Sequence, residues 1–536
     1  MKRTSIYKSL ALALAVSFAS CDGLDQYPTV DQAEQDIFAD IDGYKMSLAK
    51  VYASYVIRGQ EEGGGNADLN GSDPYYCSRS VFNLQEVGTD DIIFTWAGSD
   101  ELLEISYLKG LTGQSKWIAG AYYSLYYIVT LSNNLIKHCE GSSDAEIQLI
   151  ANEARFMRAF AYAQILDFWP CGAFTTEKDE FGVIYEPRTA TRAEMFDFVT
   201  SELKDLTEKL PATNEQYRAN KYVAAALLSR LYLNAPVYMD SNDTKYYDEC
   251  IKYSEMVYEG GYALEKDFFK LFNAENYKRT NEIIFSFYTG KDGANGNKGY
   301  GSTTQIICGE ANSSSDGTDK NVAEVLGCKG NVWQLFRARK EAAARFGEGD
   351  SRNMFFSEGR KMENPTIVEK QAAGEGYVFN KFCNTNDDGS VASDYSATLS
   401  MVDLPVLRLS EVYLNEAEAI LRGGKPAGKT ALELVNAVRQ RAGASDFTDA
   451  DLTATGANGV EYWNILEERG REFLLESLRR TDLIRFGAYA GPDAKYYWEW
   501  KGGVYEGTTV DAKYKFYPLP IAELSVNSAL KDPNYN

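Results

Sequence analysis

Carboxylates and guanidinium groups are concentrated in residues 461–487, EYWNILEERGREFLLESLRRTDLIRFG. Paired carboxylates can act as a general acid and base, which makes this stretch a first candidate for catalysis. Every cation in it is an arginine, however, and each arginine has a carboxylate within one helical turn. Because arginine and carboxylate groups pair through two parallel hydrogen bonds, the pattern favours a partly buried ion-pair lattice over an acid–base site.

The apolar residues of the same stretch recur at close to helical spacing, which predicts one long amphipathic helix. Gly487 is placed to end that helix in a left-handed conformation. The apolar positions are Trp463, Leu466, Phe473, Leu474, Leu478 and Leu483.

Histidine and cysteine chemistry has little support in the sequence. A Ser–His–Asp triad or a histidine-containing zinc site would depend on the single histidine, His138, which ends an apolar helical stretch. The eight cysteines are far apart and form no C-x-x-C pair, which argues against a metal cluster. We therefore expect no bound metal or cofactor, and mostly free, buried thiols.

Aromatic rings are mixed with amide, carboxylate and guanidinium groups in residues 73–100, DPYYCSRSVFNLQEVGTDDIIFTWAGSD. That mixture suits a sugar ligand, because flat rings stack on the apolar faces of sugars while polar groups bond the hydroxyls. Many of the 37 tyrosines and 26 phenylalanines in the 536-residue chain must instead fill a core. A net charge of −22 argues against nucleic acid as a partner, because phosphate binding needs clustered lysine and arginine.

The elements that must position these residues are mainly helices. Small residues at expected contact points, such as Ala159, Ala224 and Ala417, resemble those of tetratricopeptide-like helix pairs. We predict a mainly α fold in which such helix pairs support an irregular, loop-rich region. Helical patterns cover approximately 31–56, 114–140, 144–169, 190–209, 219–237, 244–258, 408–422 and 428–441.

The pattern changes between about 262 and 400, where glycine, asparagine, serine and aspartate are frequent. Short strand-like runs such as EIIFSFY and TQIICG occur there. NTNDDG, at 384–389, does not begin an EF-hand, because Tyr395 stands where the loop's closing glutamate should be. We interpret 262–400 as a loop-rich insertion within a single domain that spans 22–536.

Residues 1–21, MKRTSIYKSLALALAVSFASC, are typical of a lipoprotein signal peptide. Basic residues precede an apolar run that is too short to span a bilayer, and the residues before Cys21 resemble a lipobox. We predict that acyl chains on Cys21 anchor the protein, so that it meets the membrane through a lipid anchor only.

Several stretches resemble one known family. Within 461–487 the pattern E-R-x-R-E-F-x-L-E-x-x-R-R-x-D-L-x-R-F-G resembles the C-terminal signature helix of the SusD/RagB family. EARFMRAFAYAQILDFWPCG at 153–172, ANKYVAAALLSRLYLNAPVY at 219–238 and YPLP at 517–520 resemble further motifs of that family. The resemblance therefore covers nearly the whole chain.

The resemblance implies a function without catalysis. SusD/RagB proteins are outer-membrane lipoproteins of Bacteroidetes that bind glycans, or in some members peptides, beside a SusC-like TonB-dependent transporter. It implies a cell-surface lipoprotein that captures an oligo- or polysaccharide, such as a starch-like α-glucan, and delivers it to that transporter. By match to the family's starch-binding member, the implied glycan-binding residues are Asp73, Arg79, Phe82, Trp96, Ser99 and Tyr300.

Two positions depart from that starch-binding member. It has an asparagine where Ser99 stands and a stacking tryptophan where Val322 stands, which puts starch itself in doubt as the ligand. Alternatives from other classes also stay open. These are a peptide- or glycoprotein-binding RagB-like protein, a helical-repeat scaffold, and a glycoside hydrolase that uses two of the many carboxylates.

Overall fold

Helices dominate the computed structural model, which confirms the prediction of a mainly α fold. The chain divides into a unit that ends at Ser47, described from residue 34, and a unit that begins at Leu48. The structure describes residues 34–59, 67–95, 101–179, 187–289, 303, 306–307, 322–327, 335–366, 374–392, 400–426 and 428–535.

The helices differ widely in length, from single turns to spans of 24 residues. In chain order they are α1 (Glu34–Ile37), α2 (Ile41–Ala53), α3 (Cys77–Glu86), α4 (Leu103–Tyr107), α5 (Lys116–Cys139), α6 (Ala145–Phe168), α7 (Arg192–Lys209), α8 (Lys221–Met239), α9 (Lys245–Tyr258), α10 (Val322–Val325), α11 (Lys340–Ala343), α12 (Leu409–Leu421), α13 (Ala431–Arg441), α14 (Asp449–Leu452), α15 (Trp463–Glu472), α16 (Arg479–Arg485) and α17 (Ile521–Val526).

The strands are short: β1 (Ile92–Phe94), β2 (Cys171–Phe174), β3 (Arg188–Thr191), β4 (Ile283–Phe287), β5 (Phe336–Ala338), β6 (Phe355–Phe356), β7 (Val378–Phe379) and β8 (Leu404–Arg408). Within the described ranges they pair as two-stranded antiparallel sheets, β1 with β5, β2 with β3, β4 with β8 and β6 with β7. EIIFSFY forms β4 as predicted, whereas Ile306 and Ile307 of TQIICG have helical backbone, so the strand prediction is wrong there.

The long helices form the predicted scaffold of neighbouring pairs. Each of α5 to α8 packs on the next helix in the chain, α9 packs on α12, and α12 packs on α13. Side chains cap the N-termini of α6, α7 and α13: Asp144 accepts hydrogen bonds from two amides of α6, and Thr191 and Thr430 form capping boxes at α7 and α13. Alanines at the contacts let the helices approach closely, and they are buried as expected: Ala159, Ala163, Ala224, Ala226, Ala417 and Ala419.

The prediction of one long helix over 461–487 is wrong, because residues 473–478 interrupt it between α15 and α16. Lys381 Nζ donates to the carbonyl oxygens of Glu472 at 3.0 Å and Leu474 at 2.8 Å. In a continuous helix those oxygens would accept from amides one turn later. Ser477, at a φ of 61°, donates its amide to Glu86 Oε1 instead, at 2.6 Å. Gly487 has the predicted left-handed conformation, with a φ of 68°.

Two further findings concern the described residues. None of their helices is long and apolar enough to cross a membrane. Their cysteines are free thiols, four of them buried and Cys171 partly exposed, in line with the expectation from their spacing.

Candidate functional site

The structure positions two of the predicted glycan-binding residues in the core. Arg79 and Phe82 lie on α3, which is buried along its whole length. The Arg79 guanidinium lies over the Trp117 ring at 5.2 Å, and the Phe82 ring contacts the Phe336 ring at 5.6 Å. Each keeps only 4% of its surface exposed. Packing against rings therefore determines where both side chains lie.

The other predicted positions lie wholly or partly outside the described residues. Asp73 begins a short 3₁₀-helix, Asp73–Tyr75, but its side chain is not among those described. Trp96, Ser99 and Tyr300 fall outside the described ranges, as does Cys21. The assignment of these residues to glycan binding and to lipidation stays a prediction.

A strand precedes segment 96–100, which contains Trp96 and Ser99, and a short helix follows it. Before it, β1 pairs with β5, and the Thr95 amide donates to the Leu335 carbonyl at 2.8 Å. After it, α4 begins at Leu103 and ends at Tyr107.

Tyr107 belongs to a cluster of aromatic rings, which we call the ring platform and define as Tyr107, Trp500 and Tyr505. The Tyr107 and Trp500 rings stack with centroids 5.8 Å apart and planes 16° apart. The Tyr505 ring meets the Trp500 ring edge-on, with centroids 5.8 Å apart and planes 66° apart. All three rings are partly exposed, which leaves apolar surface for a flat ligand.

A tight loop presents the ring platform. The Trp500 amide donates to the Tyr505 carbonyl at 3.1 Å, and the indole Nε1 donates to the Asn364 carbonyl at 2.8 Å. Trp500 itself has a φ of 67°, an unfavourable conformation for a residue with a Cβ. Gly503, at a φ of 76°, allows close approach, because a Cβ there would lie 3.3 Å from the Tyr107 ring.

Buried charges hold the base of this loop. Lys501 donates from Nζ to the Tyr496 carbonyl at 2.8 Å, and its ammonium lies 4.0 Å from the centroid of the Trp498 ring. Burial lowers the pKa of Lys501 to about 7. Glu499 is fully buried and accepts hydrogen bonds from the backbone amides of Lys340 and Asn364 at 3.1 and 3.0 Å. Buried contacts therefore anchor the loop, while Trp500 and Tyr505 stay partly exposed.

The arginine-rich stretch forms the ion-pair lattice that its sequence predicts. Glu468 accepts hydrogen bonds from Arg352 Nη1 at 2.6 Å and from Arg471 Nε at 2.9 Å. The Glu418 carboxylate accepts hydrogen bonds from both Nε and Nη2 of Arg485, each at 2.7 Å. Burial alone would raise the pKa of each carboxyl, but the neighbouring arginines lower both values to about 2. These carboxylates are thus ionised and occupied, which suits a structural role and not proton transfer.

Sequence reasoning only partly found the ring platform. The run YYWEWKGG at 496–503 is visible in the sequence as an aromatic cluster. Of its rings, Trp498 is buried and Tyr496 is only 9% exposed. The sequence shows that this run is rich in aromatic residues, but it does not show which of the rings is exposed, nor that Trp500 stacks on the distant Tyr107.

Comparisons with known proteins identify the family. A sequence model of the SusD family matches residues 239–536. A second, described as "Starch-binding associating with outer membrane", matches residues 102–233. The chain is 28% identical over 529 residues to the starch-binding protein SusD of Bacteroides thetaiotaomicron, with 90% of each chain covered.

Solved structures share the fold. A SusD-like protein from Bacteroides fragilis has a TM-score of 0.69 at 19% identity, covering 94% of this chain and 99% of its own. The surface glycan-binding protein A of Bacteroides thetaiotaomicron, in complex with laminarihexaose, has a TM-score of 0.67 at 19% identity, covering 92% and 100%. Since the family model matches more than half of its residues, this chain belongs to the SusD family.

Proposed function

We propose that this chain is a glycan-binding lipoprotein of the cell surface, that it is not an enzyme, and that it passes captured oligosaccharides to a TonB-dependent outer-membrane transporter. The observation that carries the proposal is its 28% identity to a starch-binding protein across 90% of both chains. The second family match, whose description names starch binding and the outer membrane, supports the same class of ligand and the same location.

The ring platform supports the proposal physically. Tyr107 and Trp500 offer nearly parallel, partly exposed rings, which is the arrangement that apolar sugar faces require. Segment 96–100 leads directly into α4, the helix that carries Tyr107. We therefore propose that Trp96, Ser99 and the ring platform contribute to one site, in which rings hold the sugar and polar groups select its hydroxyls.

The carboxylates of the buried lattice do not suit a glycoside hydrolase. A glycoside hydrolase needs a protonated carboxyl and an ionised carboxylate that both reach the substrate. In the lattice, arginines occupy Glu418 and Glu468, which are fully buried. Carboxylates held in this way neither donate a proton nor contact a sugar.

An affinity gel tests the proposed ligand class. The purified protein is run through native gels that contain starch, laminarin or another polysaccharide, beside a gel without polysaccharide and a peptide panel in solution. We expect retardation by at least one glycan, no peptide binding, and no release of reducing sugar. Measurable sugar release would identify a hydrolase, and binding of peptides alone would identify a RagB-like protein.

The partner requires its own test. We propose a SusC-like transporter as that partner, with Cys21 acylated in the outer membrane. Gentle solubilisation of native membranes and affinity purification of the tagged chain should recover a β-barrel transporter in near-equal amount. Recovery of the chain alone, under conditions that keep other membrane complexes intact, would contradict this part of the proposal.

A further inference from the structure

Residues 214–220 and 276–288 form a cleft that the ring platform does not include. It consists of two cavities, which share Tyr217, Arg218 and Ser286 in their walls. The first measures 290 Å³ and is lined mainly by polar groups, including those of Gln216 and Thr280. The second measures 380 Å³ and is lined mainly by apolar groups, including those of Val56, Phe287 and Tyr288. Cavities of this size suit small ligands or single sugar units.

Tyr217 stands in the shared wall in a strained, fixed position. Its φ is 70°, and its hydroxyl donates to Asp403 Oδ2 at 2.8 Å. Asp403 is 4% exposed and also accepts the Thr289 amide at 3.0 Å. A residue with a Cβ keeps a positive φ only where its surroundings over-determine it, and such positions are frequent at ligand sites.

Tyr217 and Tyr288 together provide an aromatic surface. Their ring centroids are 5.1 Å apart and their planes are 52° apart, so the two rings meet at an angle along one side of the cleft. Tyr288 keeps 37% of its surface exposed, which is high for a ring in this protein. A sugar that lies in the angle would cover apolar surface on both rings.

The charges that border the cleft are already paired. Arg218 donates from Nη2 to Glu153 Oε1 at 2.7 Å and from Nε to Glu153 Oε2 at 3.2 Å. Its Nη1 lies 3.4 Å from Glu215 Oε2. Because Arg218 and Glu215, the charged residues that line the cleft, each have an opposite partner, the cleft favours a neutral ligand over a phosphate or an acidic glycan.

We propose that this cleft is a second glycan-binding site, which takes a short, neutral stretch of oligosaccharide. The sugar's apolar face lies against Tyr217 and Tyr288, and its hydroxyls face the exposed residues Gln216 and Thr280. The Gln216 side chain is held in place by a hydrogen bond from its Nε2 to the Tyr277 carbonyl at 2.7 Å. The inference rests on the proposed function, and it adds that one chain engages a polysaccharide at two places. Two weak sites on one chain raise retention of a long polymer far above that of either site.

Calorimetric titration tests the proposal with maltoheptaose and with laminarihexaose as probes. We expect the oligosaccharide that the parent protein binds to occupy two sites per chain, and one site per chain in Tyr288→Ala. Gln216→Ala should weaken the second site several-fold. Tyr288→Phe keeps the ring, and Val526→Ala trims an apolar side chain that is 70% exposed elsewhere; both should keep two sites. Thermal melting of each variant checks that it is folded.

The outcomes separate this inference from the proposed function. A parent protein that binds glycans at one site, unchanged by Tyr288→Ala and Gln216→Ala, overturns the second site alone and leaves the cleft to an apolar or protein ligand. A parent protein that binds neither probe and no polysaccharide in the gel panel overturns both. Loss of the second site in Tyr288→Ala, with the first site intact, supports both.

Discussion

Arg479 and Asp90 lie 389 residues apart in the chain and pair through two parallel hydrogen bonds, from Nε to Oδ1 at 2.7 Å and from Nη2 to Oδ2 at 2.6 Å. Arg345 and the Tyr496 hydroxyl bind the same carboxylate at 2.9 and 2.7 Å. Burial alone would raise the pKa of Asp90, but the two arginines hold it well below its usual range. The carboxylate is therefore a fixed negative charge that joins distant parts of the chain.

Asp90→Asn should strongly destabilise the fold, because it removes the carboxylate that the buried Arg479 and Arg345 share and, among the described residues, leaves them only Asp91 and Glu467 as counter-charges. We expect the free energy of unfolding to fall by about 3–5 kcal/mol, measured by chemical denaturation followed by circular dichroism. The matched control is Asp243→Asn, which breaks an exposed pair with Lys245 and should have no measurable effect. Equal effects from the two variants would show that the buried pair has no special role.

The carboxyl group of Glu416 has a raised pKa, in contrast to that of Asp90, and therefore makes the protein less stable as the pH rises. Burial raises the pKa of Glu416 to about 7, well above the value of about 4.3 in an unfolded chain. Between these values the folded state binds the extra proton, so this carboxyl's contribution to stability is present below about pH 4.3 and is lost as pH rises through 7. Glu416→Gln should remove this loss of unfolding free energy between about pH 4.3 and 7. The slope of unfolding free energy against pH should change by at most about 1.4 kcal/mol per pH unit.

Chemical denaturation at pH 4.5, 5.5, 6.5 and 7.5 measures this dependence. The parent and Glu416→Gln curves should lie closest at pH 4.5, where both side chains are neutral, and the variant should become the relatively more stable protein toward pH 7.5. Parallel curves over the whole range would show that Glu416 ionises at its ordinary pKa.

Trp500→Gly should remove the largest ring of the ring platform without adding backbone strain, because glycine accepts a φ of 67°. Stacking on a ring is worth on the order of 1–3 kcal/mol, so glycan affinity should fall roughly ten- to a hundred-fold. Val504→Ala, on the same loop, shortens a side chain that is 45% exposed but has no ring, and should bind like the parent. If Trp500→Gly is retarded in the affinity gel as strongly as the parent protein, the glycan site lies elsewhere.

Trp96→Ala tests the contribution of segment 96–100 to the same site. If Trp96 stacks on the ligand beside the ring platform, its loss should lower affinity by a similar factor of roughly ten to a hundred. In the double variant with Trp500→Gly, the two losses should fail to add, because both rings would contact one ligand. Strict additivity of the two changes, measured by calorimetry, would indicate two independent positions.

Cys21→Ala should release the protein from the membrane fraction, because acylation at this cysteine is the proposed anchor. Fractionation of cells and immunoblotting measure the distribution. Cys171→Ala, which changes a partly exposed thiol in the folded body, should leave the protein membrane-bound. A Cys21→Ala variant that stays with the membranes would exclude the lipid anchor.

The helical scaffold was predictable because its signals are local. The patterns at 114–140 and 144–169 end within two residues of α5 and α6, and side-chain caps such as Asp144 mark the starts. The interruption at 473–478 was not predictable, since its causes, Lys381 and Glu86, lie far away in sequence. The spacing of arginine and glutamate predicted the lattice, yet some of its members, such as Arg352, which pairs with Glu468, come from outside residues 461–487.

The candidate site was harder to predict for the same reason. Phe82 lies in a stretch that mixes apolar and polar residues, CSRSVFNLQE, yet the helix that it forms is buried along its whole length. Tyr107 has no aromatic neighbour that would suggest a platform, and its stacking partner, Trp500, comes from a glycine-rich loop near the other end of the chain. Whether a given ring is exposed depends on which distant segments of the chain cover it. The spacing of residues within one segment therefore does not predict it.

The long-range pairing of Asp90 also sets an order of assembly. The buried carboxylates at 86–91 depend on Arg345, Lys381 and Arg479, all of which are synthesised much later. Until those residues arrive, burying the 86–91 segment would enclose carboxylates without a counter-charge, at a cost of several kcal/mol. The helices in the middle of the chain can pair as they emerge, whereas the N-terminal part of the body must wait for the C-terminal residues. A chain cut before Arg479 should therefore be a partly open protein that is prone to proteolysis, with its helical pairs formed and the 86–91 segment still unpacked.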